Sequence, residues 1–401
     1  MQLTLLLDLD DTLLETNLDT FVPAYFQALG QHLAGRVTPE AMMRALIGGM
    51  SLMNESEDPT RTLEEIFDSV FYTQLGISKE EFVEILDDFY DNIFPDLASL
   101  TKQKEETVSF IEWAVSCGFR VAIATDPLFP RKATMHRMQW AGIDPQRVEL
   151  ISTFEYFHFT KTHPAYYAEV LGRLGWPEGP ILTVGNDVVR DLMPAHRLGL
   201  ATFYITGAPA ASPGFEAGRG KLSDLRPWLE TVDPSLLEPS FKSHESILAI
   251  MTSTPAVLHS LTTSLTDEDW RHEPRRDDWA MNEIICHLRD TDSEIHQVQL
   301  QLMIEREGAF LPRPETGIWA NEREYLNVPG PAALVEFSHA RLDLLKLLKE
   351  QSEEMWSRKA RHAIFGPTNF QEVVGFIADH DRLHIQQAWK TLSSLSWLSQ
   401  P

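Results

Sequence analysis

The chain has 401 residues, 43% of them hydrophobic, with 34 Lys and Arg against 59 Asp and Glu and a formal charge of −25. That length exceeds one ordinary hydrophobic core and implies two domains, while the acidic balance argues against nucleic acid or an anionic membrane surface as partner, since both are held by clustered Lys and Arg. Cys117 and Cys286 stand outside any CxxC spacing, so neither a disulfide framework nor a thiolate zinc site is indicated, and a reducing cytoplasm fits.

The first residues lack the basic flank and long apolar core of a signal peptide, and no apolar run reaches the roughly 20 residues of a membrane helix. Five short apolar runs read as buried strands: LTLLL (3–7), FRVAIA (119–124), VELIS (148–152), ILTVG (181–185) and ATFYIT (201–206). Amphipathic helical stretches alternate with them, which implies a parallel sheet with right-handed crossovers, an α/β Rossmann-like core. Between the first two runs, segments such as TLEEIFDSVFYTQL carry helical periodicity, predicting a helical insert over residues 19–95. GAPAASPGFEAGRG (207–220) reads as a loop, and KLSDLRPWLE as the helix closing a first domain of residues 1–230, with its core in 1–18 and 96–230. Residues 231–240 read as a linker.

Residues 241–401 show no strand alternation. The pattern predicts helices over 241–265 with a break at Pro255, 281–307, 332–351 and 368–395, the last opened by Thr368 and Gln371 at capping-box spacing. Four such helices imply an all-α antiparallel four-helix bundle.

Chemistry-bearing residues cluster at the predicted strand ends, where open parallel sheets bind ligands. Asp8 and Asp10 follow the first strand, Thr125 the second, Lys161 stands in TKTHP, and Asp187 and Asp191 follow LTVG. Carboxylates crowded in this way need a cation, and a hard, oxygen-preferring ion such as Mg2+ suits them. A carboxylate in line with a metal-clamped phosphoryl group can attack it, a second carboxylate two residues on can protonate the leaving oxygen, and Lys and Thr can hold phosphoryl oxygens. Cys117, Trp113 and Trp140 read as core; His158 and His163 read as solvated loop histidines, with contact to a substrate as the alternative.

DLDDTL, Thr125, KTHP and GNDVVRDLMPAHRLG, in this order and each after the right kind of element, resemble the four motifs of the haloacid dehalogenase superfamily over about Met1 to Glu230. The resemblance implies Asp8 as nucleophile, Asp10 as general acid/base with its backbone carbonyl on magnesium, Thr125 and Lys161 as phosphoryl binders, and Asp187 or Asp191 at the metal. It also implies that the insert is a cap closing over the substrate. Asn186 occupies the place of the first Asp of the fourth motif in many members, leaving Asp187 or the Asn186 amide oxygen as ligand there. True dehalogenases of the superfamily lack the second Asp of the first motif, so Asp10 favours phosphoryl transfer to water from a small phosphorylated metabolite.

In VVGFIADHDRLHIQQAW, His380 and His384 lie four apart on one helix face, extending the line of Val373 and Ile377 toward the bundle interior. His287 shares the apolar side of its helix with Ile284 and Leu288. Three imidazoles leave an open coordination position on one divalent ion, with Asp290, Glu294 and His362 as candidate supporting partners. WAMNEIICHLRD, RHAIFGPTNFQEVV and HDRLHIQQ resemble the DinB-like metal-binding bundles, which implies Zn2+, Ni2+, Fe2+ or Mn2+ on His287, His380 and His384; relatives include thiol-cofactor transferases and isomerases. Two rival readings follow: a DinB-like thiol transferase or hydrolase with a subsidiary first domain, and a metal- or ligand-binding protein without turnover.

Overall fold

The computed structural model describes residues 2–206, 213–275 and 278–395. Over those residues the chain forms two compact units, Met1–Val170 with Pro177–Ser240, and Leu171–Trp176 with Phe241–Gln400.

In the first unit β1 (Thr4–Leu7), β2 (Arg120–Ile123), β3 (Leu150–Ile151), β4 (Ile181–Gly185), β5 (Ala201–Ile205) and β6 (Gly218–Gly220) form one sheet in the order β3-β2-β1-β4-β5-β6. Every neighbouring pair is parallel. All four residues of β1 are buried, which is why the strand reads as a Leu run without alternation. Strand order reverses beside β1, between β2 and β4, and Leu7 is level with Ile123 on one side and Val184 on the other. The residues that follow β1, β2 and β4 therefore emerge together, at the crevice where such sheets take ligands.

The insert comprises α1 (Leu18–His32), α2 (Pro39–Glu55), α3 (Leu63–Leu75) and α4 (Lys79–Asp88). Thr62 with Glu65 and Ser78 with Glu81 form capping boxes that satisfy the first amides of α3 and α4. Phe21, Tyr25, Phe71, Phe82, Phe89 and Phe94 belong to its own apolar core. The helical path continues to Leu100 through a π turn and a 3-10 turn, past the expected end at residue 95. Leu14–Glu15 pairs antiparallel with Lys102–Gln103, tying together the two chain crossings between sheet and insert. Helices α5 (Glu105–Ser116), α6 (Arg131–Trp140), α7 (Pro164–Arg173) and α8 (Met193–Leu198) complete the crossovers, and α9 (Leu222–Leu229) follows the last strand.

Several expectations need correction. The strand expected over 148–152 is only Leu150–Ile151, and β6 forms inside the stretch read as a loop, of which 207–212 lie outside the described residues. β6 is the tripeptide Gly-Arg-Gly, with no apolar pattern to announce it; a Cβ on Gly218 would lie 2.5 Å from the Trp228 ring, so glycine is what lets the indole cover the strand. Cys117, expected in the core, is exposed. It ends α5, where the apolar periodicity of the helix no longer applies. Residues 231–240 carry a 3-10 turn whose Leu237 is buried in the first unit's core, and the Ser240 amide donates to the Gly199 carbonyl.

The second unit is built on α10 (His244–Thr262), α11 (Met281–Thr291) running through a π turn (Asp292–His296) into α12 (Gln297–Glu305), α13 (Gly330–Lys349) and α14 (Phe370–Ser393). The expected break at Pro255 is absent: α10 passes through it. Proline removes the amide that would bond the Met251 carbonyl, and Arg341 Nη1 donates to that oxygen instead, at 3.0 Å. Arg341, fully buried, also donates to Asp292 (2.7 Å) and Asp381 (2.8 Å), so the repair joins an ion network linking α10, α13, α14 and the π turn. Strands were not expected here, yet β7 (Ala309–Leu311), β8 (Lys359–His362) and β9 (Gly366–Asn369) form a small sheet in the order β9-β8-β7. Thr368 belongs to β9, so α14 is capped one residue later than expected, by Asn369 with Glu372.

No helix among the described residues is long and apolar enough to cross a membrane.

Candidate functional site

Asp8 follows β1 directly, and its amide donates to the Val184 carbonyl at 2.9 Å, locking it to the end of the sheet. Its carboxylate is nearly buried beside Lys161, whose Nζ donates to Asp8 Oδ1 at 2.5 Å and to Asp191 Oδ1 at 2.7 Å. The other Asp191 oxygen accepts the amides of Asn186 and Asp187, both at 2.9 Å. Burial, reinforced by the Asp191 charge, pushes the Asp8 carboxyl up to about 7 despite the opposing pull of Lys161. One lysine thus bridges two buried carboxylates.

Asp10 accepts from Thr16 Oγ1 at 2.8 Å and is ion-paired with the buried Arg137 of α6. The turn that presents both carboxylates has Asp11 in the left-handed region (φ 58°), a conformation Asp tolerates because its side chain bonds locally. Here Asp11 Oδ1 accepts the amides of Thr16 and Asn17. Thr125, buried after β2, lines the same cavity, and its carbonyl accepts from Ser152 Oγ (2.6 Å) and Tyr166 OH (2.8 Å).

The amide tip of Asn186 lies 3.0 Å from the Asp10 carbonyl oxygen, 3.3 Å from Asp8 Oδ2 and 3.1 Å from Thr12 Oγ1. With nitrogen inward it donates to these groups; with oxygen inward, its oxygen accepts from Thr12 Oγ1 at 3.1 Å and meets the oxygens of Asp8 and Asp10 with no donor from Asn186 between them. A hard cation suits the second arrangement, so the residues present fit a magnesium ion. Asp187 does not join them. It is exposed, and its Oδ1 accepts the amides of Val189 (2.8 Å) and Arg190 (3.1 Å), capping the turn after β4. Of the alternatives open at the fourth motif, the geometry favours Asn186, and Asp191 faces Lys161.

Sequence reasoning missed Arg137. Its only signal was indirect: three clustered carboxylates and one lysine leave an excess of negative charge that a buried cation must offset. His158 is buried against Glu169 Oε1 at 2.8 Å, and His163 bonds the Asn54 carbonyl at 2.8 Å, so both serve packing within the unit.

In the second unit His287, His380 and His384 come together. His380 Nε2 lies 3.0 Å from His287 Nε2 and 3.1 Å from His384 Nε2. Burial lowers all three, His287 to about 3 and His384 to about 4, so all are neutral at pH 7. His384 Nδ1 is 2.9 Å from Gln387 Oε1, an acceptor, so the proton sits on Nδ1 and Nε2 presents its lone pair to the cluster. Among the described residues no polar partner serves Nδ1 of His287 or of His380. Lone pairs converging at this spacing fit one ion bound at about 2.1 Å from each nitrogen. Trp279 stacks on His384 at an interplanar angle of 5°. A cavity of about 70 Å3 adjoins His380 and is also lined by His296, Arg313 and His362. The expected supporting partners are engaged with other groups: Asp290 binds Arg289, Arg323 and Tyr325, Glu294 binds Arg323, and His362 Nδ1 accepts backbone amides. Gln387, not anticipated, takes that role.

Residues 250–388 match the family model of the DinB superfamily. YfiT from Bacillus subtilis, described as a probable metal-dependent hydrolase with an unusual four-helix bundle topology, is 16% identical, covering 39% of this chain and 90% of its own, with a TM-score of 0.36. The HAD phosphatase from Thermococcus onnurineus is 19% identical over 57% of this chain and 98% of its own, with a TM-score of 0.39. The HAD-hydrolase YfnB from Bacillus subtilis, solved with magnesium, is 19% identical over 57% and 99%, with a TM-score of 0.38. No curated protein matches the chain.

Proposed function

We propose that the first unit is a magnesium-dependent phosphohydrolase acting through an aspartyl-phosphate on Asp8. The observation that carries this reading is the buried Asp8 carboxylate, with Lys161 on one oxygen and Asn186, itself against the Asp10 carbonyl, at the other. Asp8 attacks phosphorus as the ester P–O bond breaks, the bonding pair passes to the leaving oxygen, and Asp10 supplies the proton. Water then attacks the same phosphorus and yields its proton to Asp10, releasing inorganic phosphate and restoring the Asp8 carboxylate. Lys161 offsets the negative charge, and Thr125 offers a hydroxyl to a phosphoryl oxygen. Asp8, the Asp10 carbonyl and Asn186 would hold a cation, which when bound would neutralise charge on the phosphoryl group. Asp10 favours this chemistry over dehalogenation, and the site requires no nucleophile larger than water.

The second unit, on this reading, holds a divalent transition metal on His287, His380 and His384, supported by the convergence of three neutral imidazoles. Its own chemistry, thiol transfer or hydrolysis, is the second reading, favoured by the cavity that adjoins His380.

The deciding experiment is acid-quench trapping of 32P-labelled protein from a phosphomonoester and MgCl2. Wild type should carry acid-stable, hydroxylamine-labile label, and Asp8→Asn should carry none while turnover falls at least ~1,000-fold. Near wild-type turnover in that variant would falsify the assignment.

A further inference from the structure

A cavity of about 750 Å3 opens from Asp8, Thr125, Lys161 and Asn186 into the helical insert, all within the first unit. Away from that polar end its wall is apolar: Phe26, Leu46, Met50, Phe67, Val83 and Phe129 face it. Two aromatic contacts make the wall firm. Phe67 stacks on Phe71 at 4.9 Å, and Tyr25 meets Phe129 at 5.4 Å. Most polar groups that share the wall are already engaged; Glu155 Oε2, an anionic acceptor, is the exception. The hydroxyls of Tyr25 and Tyr90 bond each other at 2.9 Å. Lys79 is held by Glu64 and Asp68, both at 2.7 Å, and Lys132 by Asp87 (2.9 Å) and Asp91 (2.8 Å). Arg190 pairs with Asp126 and Arg137 with Asp10.

Two consequences follow. A phosphoryl group seated at Asp8 directs the rest of its ester into this space, because the two regions are one cavity. A second phosphate or a carboxylate there would have to break existing ion pairs, whereas an uncharged hydrocarbon body would displace water from apolar walls. The volume also lies within the roughly 300–1,000 Å3 that encloses a drug-sized organic ligand, well beyond what a two- or three-carbon phosphate needs.

We infer that this protein acts on phosphomonoesters of a bulky, uncharged, largely apolar alcohol. The inference rests on the phosphohydrolase reading of Asp8 and narrows its substrate from any small phosphorylated metabolite to this class. Asp8, Asp10 and Lys161 handle the phosphoryl group as described, and the insert selects the leaving alcohol by apolar burial.

The test uses the full chain with MgCl2 and n-alkyl phosphates from ethyl to decyl, together with 1-naphthyl phosphate; glycerol 1-phosphate and glucose 6-phosphate are the polar comparators. Each added methylene should raise kcat/KM about fourfold until the cavity is filled, through a falling KM. Met50→Trp, which shortens the cavity, should bring the plateau at a shorter chain. A flat chain-length series, or polar esters turned over as well as the alkyl ones, would overturn the inference and leave the phosphohydrolase intact. Calorimetric titration of Asp8→Asn with 1-naphthyl phosphate and 1-naphthol separates the remaining case. If nothing is hydrolysed yet both ligands bind competitively, the chemistry assigned to Asp8 fails while the ligand class stands; if neither binds, the ligand class fails as well.

Discussion

The two candidate sites meet the same problem, crowded polar groups taken out of water, in opposite ways. In the first unit the crowd is anionic, and the chain carries its own counter-charges: Lys161 lies between Asp8 and Asp191, and Arg137 holds Asp10. In the second unit the crowd is three neutral imidazoles: the Nε2 atoms of His287 and His384 lie within 3.1 Å of His380 Nε2, Gln387 fixes the tautomer of His384, and no charged group of the described residues stands among them. An internal cation lets a site persist without metal. Converging lone pairs have no such substitute, so metal should be a catalytic requirement for the first unit and a structural one for the second.

The sharpest way to break that contrast is chelation. Removing metal should lower the melting temperature of the second unit by the linkage expected for a tight ligand, about 4 kcal/mol at a thousandfold excess over Kd, and leave the first unit's transition nearly in place. His380→Ala should mimic chelation on the second unit while Asp8-dependent turnover persists. Equal shifts of both transitions in differential scanning calorimetry would refute the contrast.

A smaller effect sharpens the picture at Gln387. Gln387→Leu frees the Nδ1 proton of His384 to migrate, so metal affinity measured by competition with a chromophoric chelator should fall about 10- to 100-fold. An unchanged affinity would mean that the tautomer is set by something other than Gln387.

The remaining effects concern pH in the metal-free protein, and they have opposite signs. Asp8 titrates near 7 when folded and near 3.8 when unfolded, so between those values the folded state binds more protons and its stability falls as pH rises. Asp8→Asn should therefore gain on wild type by a margin that widens from pH 4 to pH 7 and then levels. His287 and His384 are lowered to about 3 and 4 from 6.5, so the unfolded state binds more protons across that window. Their contribution is lost as pH falls below 6.5. Thermal scans of metal-free wild type against Asp8→Asn and His287→Gln should give difference curves of opposite slope; parallel curves would mean that the burial inferred for one of the sites does not persist without metal.

Much of this was legible from local pattern. LTLLL before DLDDTL marks a buried strand ending in carboxylates, because a parallel strand covered on both faces needs no alternation and its end meets solvent. The four-residue spacing of His380 and His384 places both on one face by helix geometry alone. Residues with no distinctive local pattern escaped: Arg137 in the middle of α6, Gln387 one turn beyond His384, and the Gly-Arg-Gly of β6.

By itself, then, the sequence determined the alternation that makes the first unit a parallel α/β sheet, the helical character of the insert and of the second unit, and which residue types stand at strand ends or on one helix face. These follow from period and spacing, which act over a few residues. Only the tertiary structure decided which neighbour each group meets. It turned Asp187 to its own backbone and Asn186 toward Asp8, let α10 run through Pro255 because Arg341, 86 positions later, supplies the missing donor, and opened an apolar chamber in front of Asp8. Each of those outcomes depends on contacts between segments distant in sequence, and hydrogen-bond satisfaction and burial are properties of the packed chain, which no local pattern encodes.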